Sequence, residues 1–129
     1  MKVLVVGGAG MIGGHAALYL RAKGHEVGIA GRNAPAAGTP LAELEFLRLD
    51  YMANDLPAAE LGRFDALVFA AGNDVRHLPA GADIETHWQR ANIEAVPRFF
   101  RAARDAGVRH AINIGSFYPQ ACPELVAGN

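Results

Sequence analysis

A β-branched run that empties into glycine constrains this chain more than any other feature. Val3-Leu4-Val5-Val6 is followed at once by Gly7-Gly8-Ala9-Gly10-Met11-Ile12-Gly13. The apolar run predicts a buried strand, and the residues after the glycines carry a helical pattern, with Ile12, Ala16 and Leu20 on one face. That helix finishes at Lys23-Gly24, a basic residue followed by a C-cap glycine. A second apolar run, Val27-Gly28-Ile29-Ala30, completes a βαβ unit. Glycine at the strand-to-helix junction lets the backbone turn tightly and lets a phosphate reach the unpaired N–H groups and positive dipole end of the helix. The arrangement suits a dinucleotide.

Further apolar runs at 44–49, 66–71 and 111–114 alternate with helical, polar or turn-like stretches. This alternation predicts an α/β fold with a doubly wound parallel sheet, a Rossmann fold that stops after about its fifth strand. The 129 residues make one domain, able to bury roughly two-thirds of its unfolded surface. Residues 34–40 form a Pro/Gly/Ala loop. Asp55 is expected to cap a short helix over 58–61, with Pro57 in its first turn and a stop at Gly62. The longest helix runs over 83–106, with Trp88, Asn92, Ala95, Phe99, Ala102 and Ala106 as a buried stripe. Pro97 lies off the stripe and should kink the helix, because it lacks an N–H and its ring crowds the Ile93 carbonyl. Asn92 is then a polar amide on an apolar face, which must find partners there. Residues 116–129 show neither period and read as loop, leaving the fifth strand as an exposed, apolar edge.

Several function classes are set aside by composition. The net charge of −1 offers no electrostatic footprint for nucleic acid. The arginines at 90, 98, 101, 104 and 109 fit a solvated helix face. Cys122 is the only cysteine, so no intrachain disulfide forms and a cytoplasmic location is expected. The apolar run after Met1-Lys2 is too short for a signal peptide, and no segment approaches the length of a membrane span. Histidines at 15, 25, 77, 87 and 110 show no ligand spacing, so no metal is expected.

The end of the second strand bears on which nucleotide is bound. In dinucleotide folds an acidic residue there bonds the adenosine ribose, whereas an arginine accommodates a 2′-phosphate. This chain has Gly31-Arg32-Asn33, with no carboxylate and with a permanent fork of donors on Arg32. NADP(H) is therefore favoured, with NAD(H) possible.

These motifs resemble the N-terminal half of an extended short-chain dehydrogenase/reductase, the group of NAD(P)-dependent epimerases and dehydratases. Gly7, Gly10 and Gly13 match the opening glycine motif, with Met11 and Ile12 between its last two glycines. The resemblance implies that Asp50, followed by Tyr51, contacts the adenine amino group, and that Ala70-Ala71-Gly72 lines the adenine-ribose side. It places Asn92 near the nicotinamide and Ser116, in Gly115-Ser116-Phe117-Tyr118, at the active site. It further implies an oxidoreductase or epimerase acting on a hydroxyl or carbonyl of a small molecule such as a sugar nucleotide, with pairing into a homodimer through long helices.

The family's acid/base tyrosine, with a lysine four residues on, has one counterpart in spacing, Tyr19 and Lys23. That pair lies on the helix after the glycine loop, far from any nicotinamide, so the working pair is expected beyond residue 129. The chain thus reads as an incomplete dinucleotide-binding domain, 1–129, lacking its substrate-binding part and inactive alone. The other reading is a non-catalytic module that binds a dinucleotide to sense redox state or mediate an interaction.

Overall fold

Parallel strands cannot be joined by tight turns, so each apolar run must reach its neighbour by a crossover over one face of the sheet. The computed structural model describes residues 1–72, 78–116 and 121. In it β1 (Lys2–Val6), β2 (Glu26–Gly31), β3 (Glu45–Arg48), β4 (Ala66–Phe69) and β5 (His110–Asn113) form one parallel sheet ordered β3-β2-β1-β4-β5. The chain steps one way from β1 to β3, then crosses back to β4 and continues the other way. The strand order therefore reverses between β1 and β4.

Successive side chains of a strand point to opposite faces, and each face has its own core. On one, Val3, Val5, Ile29 and Val68 pack with Ala17 of α1 (Met11–Ala22). On the other, Leu4, Val6, Leu67 and Phe69 pack with Leu61 of α2 (Ala58–Leu61) and with Phe99 and Ala103 of α4 (Val96–Asp105). Helices on both faces make the sheet doubly wound, as the alternation predicts. Phe69 anchors the second core: its ring meets Tyr51 edge-on at 5.1 Å and the rings of Phe99 and Phe100 at 5.5 Å.

The long helix departs from its expected form. It divides into α3 (Ile84–Trp88), a π-helical segment (Gln89–Ala95) and α4. Asp83 starts α3 by accepting the Thr86 N–H at 2.8 Å. The backbone is helical through Ala95 and Val96, so the three pieces run on as one helix with Pro97 inside it, and the irregularity that its missing N–H and its ring impose is taken up by the π segment before it. Turns closed by i→i+5 bonds hold more residues than α-turns, so the buried stripe shifts phase. It comprises Ala91, Ala95, Phe99 and Ala103. Asn92 is exposed and Trp88 is 44 % exposed, so neither belongs to it, and Ala102 and Ala106 are half-buried flanks.

Two further corrections concern single residues. Asp55 does not cap α2; the helix begins after Pro57, which leaves Asp55 too far upstream to reach its first N–H groups. Arg98 is not part of a solvated face, for it is half-buried and hydrogen-bonded to a loop, while Arg90, Arg101, Arg104 and Arg109 are exposed. Among the described residues β5 is one edge of the sheet, with Ile112 60 % and Ile114 42 % exposed. The loops read at 73–77 and over most of 116–129, with Cys122, lie outside the described residues.

Candidate functional site

Because all five strands are parallel, their carboxyl ends share one edge of the sheet, and the reversal between β1 and β4 opens a crevice there. A cleft of about 740 Å³ occupies it. Its floor is the glycine loop after β1, and its walls come from the ends of β2, β3 and β4. Hydrogen bonds tie these pieces together: Gly7 N–H to Ala30 O at 2.8 Å, Leu49 N–H to Gly31 O at 2.9 Å and Ala70 N–H to Val6 O at 2.9 Å.

The three motif glycines do different work. Gly7 has a φ of +79°, and a Cβ there would lie 2.7 Å from the Ala71 backbone nitrogen, so chain packing alone demands glycine. A Cβ on Gly13 would overlap the Gly7 carbonyl oxygen, which lets α1 start close against the loop. Gly10 is less confined, its added Cβ meeting only Gly7 O at 3.2 Å. It is the N-cap of α1, where no side chain caps the helix and the first turn holds no acidic residue. The N–H groups at that helix start therefore have neither a side-chain acceptor nor a carboxylate in competition with an anion.

Twelve predicted residues line this cleft together: Gly7, Gly10, Met11, Ile12, Gly13, Arg32, Asn33, Asp50, Tyr51, Ala70, Ala71 and Gly72. Arg32 is exposed at the corner after β2, beside Asn33. Asp50 Oδ1 accepts the Met52 N–H at 3.0 Å, which orients its carboxylate in a turn after β3. Tyr51 is 8 % exposed and packs as core, presenting little of itself to the cleft. Met11 and Ile12 are 80 % and 55 % exposed, an apolar lip that a bound molecule would cover. Val6, Ala9, Ala30, Gly31, Leu49 and Met52 complete the lining. Position next to a strand's carboxyl end was the signal that could have found them.

Two predicted residues stand apart from the cleft wall. Asn92 sits exposed in the π segment, turned from the sheet by the phase shift described above. Ser116 follows β5, exposed, at the same edge of the sheet as the glycine loop. Tyr19 and Lys23, with the Lys23 ammonium 5.4 Å from the Tyr19 ring centre, occupy the far end of α1 from the glycine loop. A smaller cavity of about 370 Å³, lined by Asn54, Pro79, His87 and Arg90, adjoins the main cleft through Asp50 and Met52. Among the described residues no group of three or more metal-ligating side chains occurs, and no helix is long and apolar enough to cross a membrane.

A parallel sheet with a glycine-lined helix start at its switch point defines a nucleotide-binding α/β protein. Residues 3–126 match the NAD dependent epimerase/dehydratase family, and the chain belongs to it. No curated protein matches the chain. Among solved structures it is similar to UDP-glucose-4-epimerase from Stenotrophomonas maltophila, solved with NAD and formylated UDP-arabinopyranose (25 % identity, TM-score 0.66, covering 88 % of this chain and 36 % of that one). It is similar also to MoeE5 in complex with UDP-glucuronic acid and NAD (27 %, TM-score 0.68, 90 % and 37 %). A short-chain dehydrogenase/reductase superfamily protein from Agrobacterium tumefaciens with bound NAD shares the fold (20 %, TM-score 0.69, 94 % and 34 %). The chain thus spans 34 to 37 % of the length of these three structures.

Proposed function

We propose that this chain is the cofactor-binding part of an oxidoreductase or epimerase that uses NADP(H), with NAD(H) the weaker ligand, on a hydroxyl or carbonyl of a small molecule such as a sugar nucleotide. The observation that carries the reading is the uncapped start of α1 opening into a cleft walled by the carboxyl ends of β1 to β4. Family membership supports a nicotinamide dinucleotide and this class of reaction, as do structural relatives that hold NAD and UDP-sugars, while the preference for NADP(H) rests on Arg32 alone.

Each wall of the cleft has a task in this reading. The backbone N–H groups around Gly10 to Gly13 receive the pyrophosphate, which the N-terminal dipole of α1 favours. Arg32 places its planar fork on the 2′-phosphate. Asp50 accepts the adenine amino group, and Ala70 to Gly72, with little side chain, let the adenosine ribose lie flat against β4. When bound, the nicotinamide carries the hydride. Ser116 donates a hydrogen bond to the substrate oxygen and stabilises the charge that develops there. Asn92, exposed outside the cleft wall, keeps the place near the nicotinamide that the family resemblance implies.

Calorimetric titration with NADPH and NADH tests the cofactor assignment. NADPH should bind the tighter, and Arg32→Ala should weaken NADPH by roughly ten-fold or more while leaving NADH little changed, as expected for a lost charge-assisted contact. Tighter NADH binding, or no effect of Arg32→Ala, would remove Arg32 from the site. In an intact enzyme containing this chain, Ser116→Ala should lower turnover with little change in cofactor affinity.

A further inference from the structure

Arg98 reaches from α4 across to the loop after β3. Its Nη2 donates to Met52 O at 2.8 Å and to Ala53 O at 3.0 Å, and its Nη1 to Asn54 Oδ1 at 3.4 Å. These carbonyls lie in a stretch with no ladder to satisfy them, so the guanidinium takes the place of missing secondary structure. The loop's inner end is fastened by Leu49 N–H to Gly31 O, and its turn is closed by Ala53 N–H to Asp50 O at 3.1 Å. Between these anchors stand Asp50 and Tyr51, both in the cleft wall.

The arginine itself is held rigidly. Its neighbour Phe99 is fully buried against Phe69, and Phe69 is the ring on which Tyr51 rests. One aromatic cluster thus fixes both the lever and the wall it holds. Among the described residues Arg98 makes no ion pair, and its buried Nε has no hydrogen-bond partner. A half-buried cation compensated by carbonyl dipoles alone is a poor stabiliser beside an apolar side chain of similar volume. What its hydrogen bonds fix above all is the shape of the loop.

We infer that Arg98 is a positioning residue for adenine recognition: by clamping the Met52 and Ala53 carbonyls it holds the Asp50 carboxylate in line with the adenine amino group. The inference rests on the dinucleotide reading above. Its test is the ratio of calorimetric affinities for NADPH and for its hypoxanthine analogue, which lacks that amino group. Wild-type protein should prefer NADPH by about ten-fold, the worth of one hydrogen bond to a charged acceptor. Arg98→Met should bring the ratio close to one, and Arg98→Lys should restore part of it. General damage to the fold weakens both nucleotides alike and leaves the ratio intact. An unchanged ratio in Arg98→Met, or no preference in the wild type, overturns the inference; failure of the wild type to bind either nucleotide overturns the dinucleotide reading instead. Should Arg98→Met not fold, Arg98→Gln, which keeps a shorter donor, gives the same comparison.

Discussion

At the scale of single residues, the glycine motif separates into positions the chain needs and a position left open for a ligand. Gly13→Ala drives a methyl into the Gly7 carbonyl, so denaturant unfolding should register a loss of about 1–3 kcal/mol, as for other overpacked sites. Gly10→Ala meets that same oxygen only at 3.2 Å and should cost under about 1 kcal/mol, while still weakening nucleotide binding. If the two variants lose stability equally, the division of labour is wrong. These glycines were legible because their requirement is local, a turn followed by a helix start. Arg98 was not legible. Five arginines at similar spacing look alike in sequence, and only the fold brings the loop carbonyls of Met52 and Ala53 within reach of one of them.

At the scale of elements, the helix after β4 shows where periodicity misleads. A 3.6-residue count carried through 88–106 assigns Asn92 to the core, yet the π segment adds residues per turn and hands that place to Ala91. Downstream, Phe99, fully buried against Phe69, fixes the phase, and Ala103 takes the place that the count gives to Ala102. Phe99→Ala should therefore destabilise the protein by about 3–5 kcal/mol, measurable by denaturant titration. Pro97→Ala restores a backbone donor inside a continuous helix and should stabilise the protein, by up to the roughly 3 kcal/mol that a mid-helix proline costs less what the π segment already relieves. No gain from Pro97→Ala would mean that the π segment relieves the proline completely.

At the scale of the whole molecule, the two ends of the sheet do different jobs. The carboxyl end is the cleft; the amino end is stitched by charge. The Lys2 ammonium lies 3.1 Å from both Glu26 and Glu45, Arg63 pairs with Glu45, and Asp65 joins the Lys2 backbone N–H to Arg109. The Lys2 N–H, then Arg109, hold the Asp65 carboxyl below its ordinary value. Partial burial pushes Glu45 upward, but Lys2 and Arg63 outweigh it and leave that carboxyl lowered as well. Bonding to Glu26 and then Glu45 raises Lys2. Lowered carboxylates stabilise the fold above their unfolded values and lose that contribution as pH falls through about 4 and below. The raised lysine contributes below its unfolded value and is lost as pH climbs past about 10.4. Melting temperature should accordingly be level near neutrality and fall at both extremes. Asp65→Asn should flatten the acid limb, and an acid limb identical to wild type would show that Asp65 has no part in it.

The strand, glycine loop, helix and the alternation behind them were determined by the sequence itself, since backbone preference and hydrophobic period act over a few residues. The cleft lining followed from these, because parallel strands bring all their carboxyl ends to one edge. Tertiary structure alone decided that Asn92 faces out, that Arg98 faces in and that Asp55 leaves α2 uncapped. Each depends on packing between segments far apart in the chain, where a small change of helical phase moves a side chain from one neighbour to another.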